Sequence, residues 1–226
     1  MVRPVYLLAD SQWLFQRNEQ QPFLKKAITH IVNKKPKAAY IGISNGDTPA
    51  FYSLFCEAMN AVDVVHTGMI TSIFRESEQE FLESADIILL SGGDTQQGLK
   101  VFQDTGIARI LRTRYQLGAT LIGVSAGAIQ LGSACLGENI EPLKIVPFIV
   151  TVHADKDNFR EIDTRVGPLK TTTPVYEIPL GAGLIYYPNG DIEAVGKPIN
   201  KLVFNAGKRS NNLVFPFNFN NDSKNQ

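Results

Sequence analysis

The chain has 226 residues, 44% of them hydrophobic and 19% charged, which suits one sizeable core better than two independent ones. Lys+Arg and Asp+Glu both number 22, so the formal net charge is zero and the basic excess expected of a nucleic-acid binder is missing. Two cysteines, Cys56 and Cys135, are too few for a disulfide framework and read as buried, reduced thiols. The start of the chain lacks the apolar stretch of a secretory signal, and no run approaches the ~20 apolar residues of a spanning helix. The expectation is a cytoplasmic protein with no membrane and no nucleic-acid partner.

In chain order, Val5 to Ala9 reads as a first buried strand, and Pro22 to Val32 has helical spacing with Phe23, Leu24, Ala27, Ile28 and Ile31 on one side. Ala38 to Ile43 is a second apolar run. Asn45-Gly46-Asp47 turns the chain, and Pro49 suits the first turn of a helix through Met59. Val62 to His66 predicts a third strand, and Glu76 to Ser84 an acidic helix. Asp86 to Leu90 is an apolar strand that stops at Ser91-Gly92-Gly93. Helical segments span about 96 to 117, Ala119 to Val124 is the next buried strand, and Ser125-Ala126-Gly127-Ala128 opens another helix. Beyond residue 140 the pattern turns β-like: Ile145 to Val152, strand pieces from Tyr176, then Leu184 to Tyr187 and Ile192 to Val195 about an Asn189-Gly190 turn. Leu202 to Asn205 and Leu213 to Phe217 end the fold. Residues 1–217 are expected to form a single α/β domain and 218–226 a polar, disordered tail. Alternating strands and helices predict a mostly parallel central sheet between helical layers, a three-layer sandwich, with a β-hairpin region at the C-terminal end.

Two turns carry the chemistry. Gly123-Val124-Ser125-Ala126-Gly127 fits G-x-S-x-G between a buried strand and a helix, which forces the serine into a tight turn with its hydroxyl projecting. A helix-capping serine is the plainer alternative; the context favours a nucleophile. Ser91-Gly92-Gly93-Asp94-Thr95 ends another buried strand, where paired glycines let N–H groups face a bound oxyanion. Here the plainer reading is a strand-to-helix turn capped by Asp94 or Thr95. A serine needs a base, and of His30, His66 and His153 the last lies best in chain order, at the end of the Ile145 to Val152 strand. No His/Cys/Asp spacing resembles a metal site, and no cofactor is expected.

Together, the Ser-Gly-Gly-Asp-Thr turn, the Gly-Val-Ser-Ala-Gly-Ala turn and the strand ending in His153 resemble peptidase family S51, which contains dipeptidase E and cyanophycinase, over residues 5 to 205. The resemblance implies a fold like that of class I glutamine amidotransferases, with Ser125 as nucleophile, His153 as base, and Gly93 and Ala126 as oxyanion donors. It also implies a short peptide substrate, aspartyl or isoaspartyl, held by Asp94, Thr95 and the basic residues after the histidine, Arg160 and Arg165. An arginine fork suits a carboxylate, whereas the mixed charges around Arg160 and Arg165 equally suit a solvated face.

One position departs from the family. The glutamate that orients the histidine in those enzymes falls here on Leu180, in Ile178-Pro179-Leu180-Gly181. An alkyl side chain neither holds a tautomer nor stabilises an imidazolium. Glu177, Asp155 and Asp157 are the candidate substitutes. An α/β-hydrolase esterase fits poorly, because no aspartate lies between Ser125 and His153 and no histidine follows. A glutaminase would carry cysteine at 125. Two readings remain: a serine-type dipeptidase-like hydrolase, or a weakened or inactive relative that acts as a binding module. Whether the chain forms a homodimer is open.

Overall fold

The computed structural model describes residues 1–18, 21–136, 140–153, 172–205 and 208–216. Its elements in chain order are β1 (Val5–Leu8), β2 (Arg17–Asn18), β3 (Gln21–Pro22), α1 (Phe23–Ile28), β4 (Lys37–Ile41), α2 (Pro49–Asn60), β5 (His66–Ile70), α3 (Glu76–Glu83) and β6 (Ile87–Leu90). Then come α4 (Thr95–Thr105), α5 (Ile107–Gln116), β7 (Thr120–Val124), α6 (Ala126–Gln130), β8 (Ile149–Val152), β9 (Val175–Ile178), β10 (Gly183–Tyr186), β11 (Ile192–Val195), β12 (Ile199–Asn205) and β13 (Lys208–Val214). Short 3₁₀ turns occupy Ser11–Leu14 and Ile43–Asn45.

Seven strands form the main sheet in the order β11-β10-β1-β7-β6-β4-β5. The five from β1 to β5 in that row run parallel, whereas β10 pairs antiparallel with both β1 and β11. The parallel strands bury chiefly apolar residues because both faces are covered; Thr120 of β7 is a buried exception whose hydroxyl donates to Ala27 O at 3.3 Å. Alternation assigns those faces. Val5, Leu7, Ile88, Leu90 and Leu121 join the core under α3 to α6, while Tyr6, Leu8, Ile87, Leu89 and Ile122 pack with Phe23 and Leu24 of α1 and Phe55 and Met59 of α2. The expected three-layer arrangement follows from that division. A second sheet, β13-β12-β9-β8, adds Val150, Tyr176 and Ile178 to the first of these cores.

Several boundaries differ from the sequence expectation; the strand expected over Ile145 to Val152, for instance, begins at Ile149. The strand foreseen at Val62 to His66 begins at His66 instead. Val62 and Val64 are buried at the end of α2, where both backbone N–H groups donate to the Met59 carbonyl and Asp63 takes a left-handed φ of 65°. Their apolar side chains plug a helix end, which sequence alone reads as strand. The helical segments expected over 96 to 117 are α4 and α5, divided where Gly106 (φ 80°) ends one and starts the other. The first helix is shorter than its apolar spacing suggests, ending at Ile28. The hairpin about Asn189-Gly190 forms as β10 and β11 and extends the main sheet beyond β1. Among the described residues no helix is long and apolar enough to cross a membrane.

Candidate active site

The parallel strands β1, β6 and β7 end together, and open α/β sheets place their sites at such carboxyl ends. Ser125 follows β7 directly. Its N–H donates to Leu8 O of β1 at 2.9 Å, and its carbonyl accepts from Ala128 N at 2.9 Å, so the residue is held as the chain reverses into α6. The price in backbone geometry is φ 52° and ψ −112°, a conformation L-residues rarely adopt. The glycines of the motif allow this corner. A Cβ on Gly123 would sit 2.6 Å from the Gly127 backbone, and one on Gly127 would overlap the Leu90 carbonyl oxygen. Ser125 Oγ makes no capping hydrogen bond to α6. The hydroxyl is left to face the cavity it lines.

The second turn is built against the first. Gly127 N donates to Ser91 O at 3.1 Å, and a Cβ on Gly92 would lie 3.2 Å from Ser125 Cβ. Gly93 has φ 128°, and a Cβ there would overlap Ser44 O in the turn after β4. Only glycine fits. Ala126 is the first residue of α6, where a helix leaves its N–H without an intrahelical acceptor. Gly93 lines the cavity with Ser125, and Ala126 follows Ser125 directly in the chain. Asp94 Oδ1 accepts from Gln97 N at 2.9 Å and so caps α4; neither Asp94 nor Thr95 lines the cavity.

A residue the sequence did not flag fixes this turn. Gln130, fully buried on α6, donates through Nε2 to Ser44 Oγ at 2.8 Å and to Thr95 O at 3.2 Å. Asp94 N in turn donates to Ser44 O at 2.7 Å. The helix behind the serine and the glycine turn beside it are thereby tied through one buried side chain.

His153 ends β8 with a left-handed φ of 61°, its backbone N–H on Ile178 O at 3.0 Å. It lines the same cavity as Ser125. Its Nε2 lies 2.7 Å from Ala9 O. A carbonyl only accepts, so Nε2 carries the proton and a neutral ring keeps its lone pair on Nδ1. The ring is therefore oriented by a main-chain carbonyl of the segment after β1. Glu177, one candidate for that role, is fully buried on β9 opposite Thr151 of β8, and the ring hydrogen bond does not run to it. Leu180 lines the cavity beside His153. No hydrogen bond joins Ser125 Oγ to His153 among the described residues. Asp155, Asp157, Arg160 and Arg165 lie outside the described residues.

The cavity that holds Ser125 and His153 has a volume of about 350 Å³. Its walls come largely from residues the sequence reading passed over: Asp10, Leu14 and Phe15 after β1, Tyr40 at the end of β4, and Phe51, Leu54 and Phe55 on α2. Asp10 accepts from Gln12 N at 3.0 Å and Gly181 N at 2.7 Å, which pins the Leu180 segment to the end of β1. Burial holds the Tyr40 phenol above its ordinary range, so a neutral hydroxyl, accepting from Asn45 Nδ2 at 2.6 Å, faces this space. Among the described residues no group of three or more His, Cys, Asp or Glu is arranged to hold a metal ion.

Comparison with known proteins agrees with this fold. One solved structure, a peptidase from an acI-B1 Actinobacterium, superposes with a TM-score of 0.70 at 17% identity over 95% of each chain. Another, from Listeria monocytogenes EGD-e and carrying a provisional peptidase E assignment, gives 0.64 at 14% identity over 87% of this chain and 99% of that one. At such identities the likeness establishes the fold. The uncharacterized peptidase YgaJ of Bacillus subtilis is 27% identical over 99 residues, a stretch that spans 42% of this chain and 42% of that protein. The profile of peptidase family S51 matches residues 5–189, most of the chain and both glycine turns with His153 between its limits, and the protein belongs to that family of peptidase-type hydrolases.

Proposed function

We propose that this chain is a serine-type peptidase acting on short peptides, with Ser125 as nucleophile and His153 as base. Ser125 Oγ attacks the scissile carbonyl, and the hydroxyl proton passes to Nδ1 of His153 once substrate brings the two within hydrogen-bond reach. The Gly93 and Ala126 amides stabilise the oxyanion. The imidazolium then protonates the leaving amine, and water attacks the acyl-enzyme by the same route in reverse. The observation that carries this reading is the strained Ser125 corner, uncapped and opening on the cavity between two glycine-shaped turns.

A second reading, a weakened or inactive relative retained as a binding module, draws on a different observation. The ring of His153 leans on Ala9 O, and the side chain at 180 is leucine. Removing the carboxylate of a catalytic triad lowers turnover by about 10⁴-fold where it has been done. A small alkyl fluorophosphonate separates the two. The peptidase reading expects a single covalent adduct on Ser125, found by mass spectrometry and abolished in Ser125→Ala. A folded wild-type chain that stays unlabelled favours the binding module.

A further inference from the structure

Large apolar side chains at the surface of this protein are not spread evenly. Phe15 (47% exposed), Phe51 (49%), Leu54 (42%) and Leu180 (51%) all line the one cavity that contains Ser125. They come from three separate places in the chain: the turn after β1, helix α2 and the segment before β10. Scattered exposed hydrophobics are ordinary, whereas a cluster rimming a concave site marks a binding surface.

The floor of the cavity continues this character. Leu14, Phe55, Leu89 and Val124 line it, and the Tyr40 phenol is neutral. Besides the Tyr40 phenol, the titratable groups among the described lining residues are Asp10 and His153, and no lysine or arginine is among them. A carboxylate side chain entering here would lose water and approach the Asp10 carboxylate, and no lysine or arginine among the described lining residues would meet it. An alkyl or aryl side chain would instead exchange water for four half-exposed hydrophobic groups and an apolar floor. The volume, about 350 Å³, lies at the small end of ligand pockets and suits one large side chain with its flanking peptide groups.

We infer that the cavity takes a substrate whose residue beside the Ser125-facing carbonyl carries a large apolar, preferably aromatic, side chain. This rests on the proposed role of Ser125 for the position of the carbonyl, and it replaces the aspartyl substrate that the family resemblance implies.

Equilibrium binding to the Ser125→Ala chain tests the inference without any need for turnover. N-acetyl-phenylalanine amide and N-acetyl-aspartate amide are titrated by calorimetry. Burial of a benzyl group corresponds to roughly 10- to 100-fold in affinity, so the phenylalanine ligand is expected to bind at least tenfold tighter. The Phe51→Ala/Leu54→Ala pair, in the same Ser125→Ala background, replaces side chains that are half exposed on α2. It is expected to bring the two ligands within about threefold of each other. Equal affinities, tighter aspartate binding, no binding of either ligand, or a preference that survives the double substitution each overturn the inference. Its failure is distinguishable from failure of the nucleophile assignment. A wild-type chain labelled on Ser125 but lacking the aromatic preference loses only the pocket, and an unlabelled chain that keeps the preference loses only the nucleophile.

Discussion

The two halves of the candidate site are held by different means. At the Ser125 corner most constraints are main chain: backbone hydrogen bonds, a left-handed φ, and glycines at 92, 93, 123 and 127 where a Cβ would crowd or overlap a neighbour, with the Gln130 side chain as a buried tie behind them. At the His153 corner, among the described residues, the ring has one hydrogen bond, to Ala9 O, just after a four-residue strand of the smaller sheet. The proposed nucleophile is held largely by backbone geometry, whereas among the described residues the proposed base leans on a carbonyl that carries no full charge. A carbonyl can select a tautomer as a carboxylate does, but it stabilises the imidazolium less. The contrast predicts a site well prepared to bind an oxyanion and weakly prepared to generate one.

Breaking the weaker half gives the largest effect on reaction rate. His153→Ala is expected to slow adduct formation by a fluorophosphonate about 10²- to 10⁴-fold, the range of general-base contributions. A loss under threefold would mean that the histidine takes no part. Breaking the stronger half acts on folding instead. In Gly127→Ala the new Cβ overlaps the Leu90 carbonyl on β6, and the cost is expected to be about 3 kcal/mol, read as a fall in the urea midpoint. A stable variant would show that the two turns are less tightly apposed than described. The third substitution narrows the contrast. Leu180→Glu places a carboxylate on the cavity wall beside His153, and labelling at neutral pH is expected to quicken about tenfold, which is 1.4 kcal/mol. No change would show that Ala9 O already supplies the orientation the ring needs.

The strong half was the legible half. Strand, glycine, serine and helix follow one another in sequence at Gly123 to Gly127, and the constraint they obey is local, so reading the residues was enough to foresee a serine corner. The Gly92-Gly93 turn was legible for the same reason, although its partner was not: Ser44 lies about fifty residues upstream and meets Gly93 only because β4 and β6 are neighbours. Gln130 escaped notice because a glutamine on a short helix carries no signal until its burial is known. The cavity wall was hidden more completely. Phe51 and Leu54 look like the apolar face of an amphipathic helix, and their half-exposed position over the site comes from the sheet order, not from spacing on α2. Val62 and Val64 misled in the opposite direction, since a helix plug and a strand start share the same alternating apolar residues.

Ser44 gives the short stretch between β4 and α2 a significance out of proportion to its size. Its carbonyl receives Asp94 N and abuts Gly93, and its hydroxyl is bound by Gln130, while a few residues later the chain enters the helix that bears Phe51 and Leu54. Under the proposed reading, one end of the stretch sets where negative charge is stabilised and the other sets what shape of ligand is admitted. Because Ser44 is anchored to α4 and α6 rather than to α2, the admitting wall can be recarved by substitution along its outer turn without shifting the electrostatic gauge behind it.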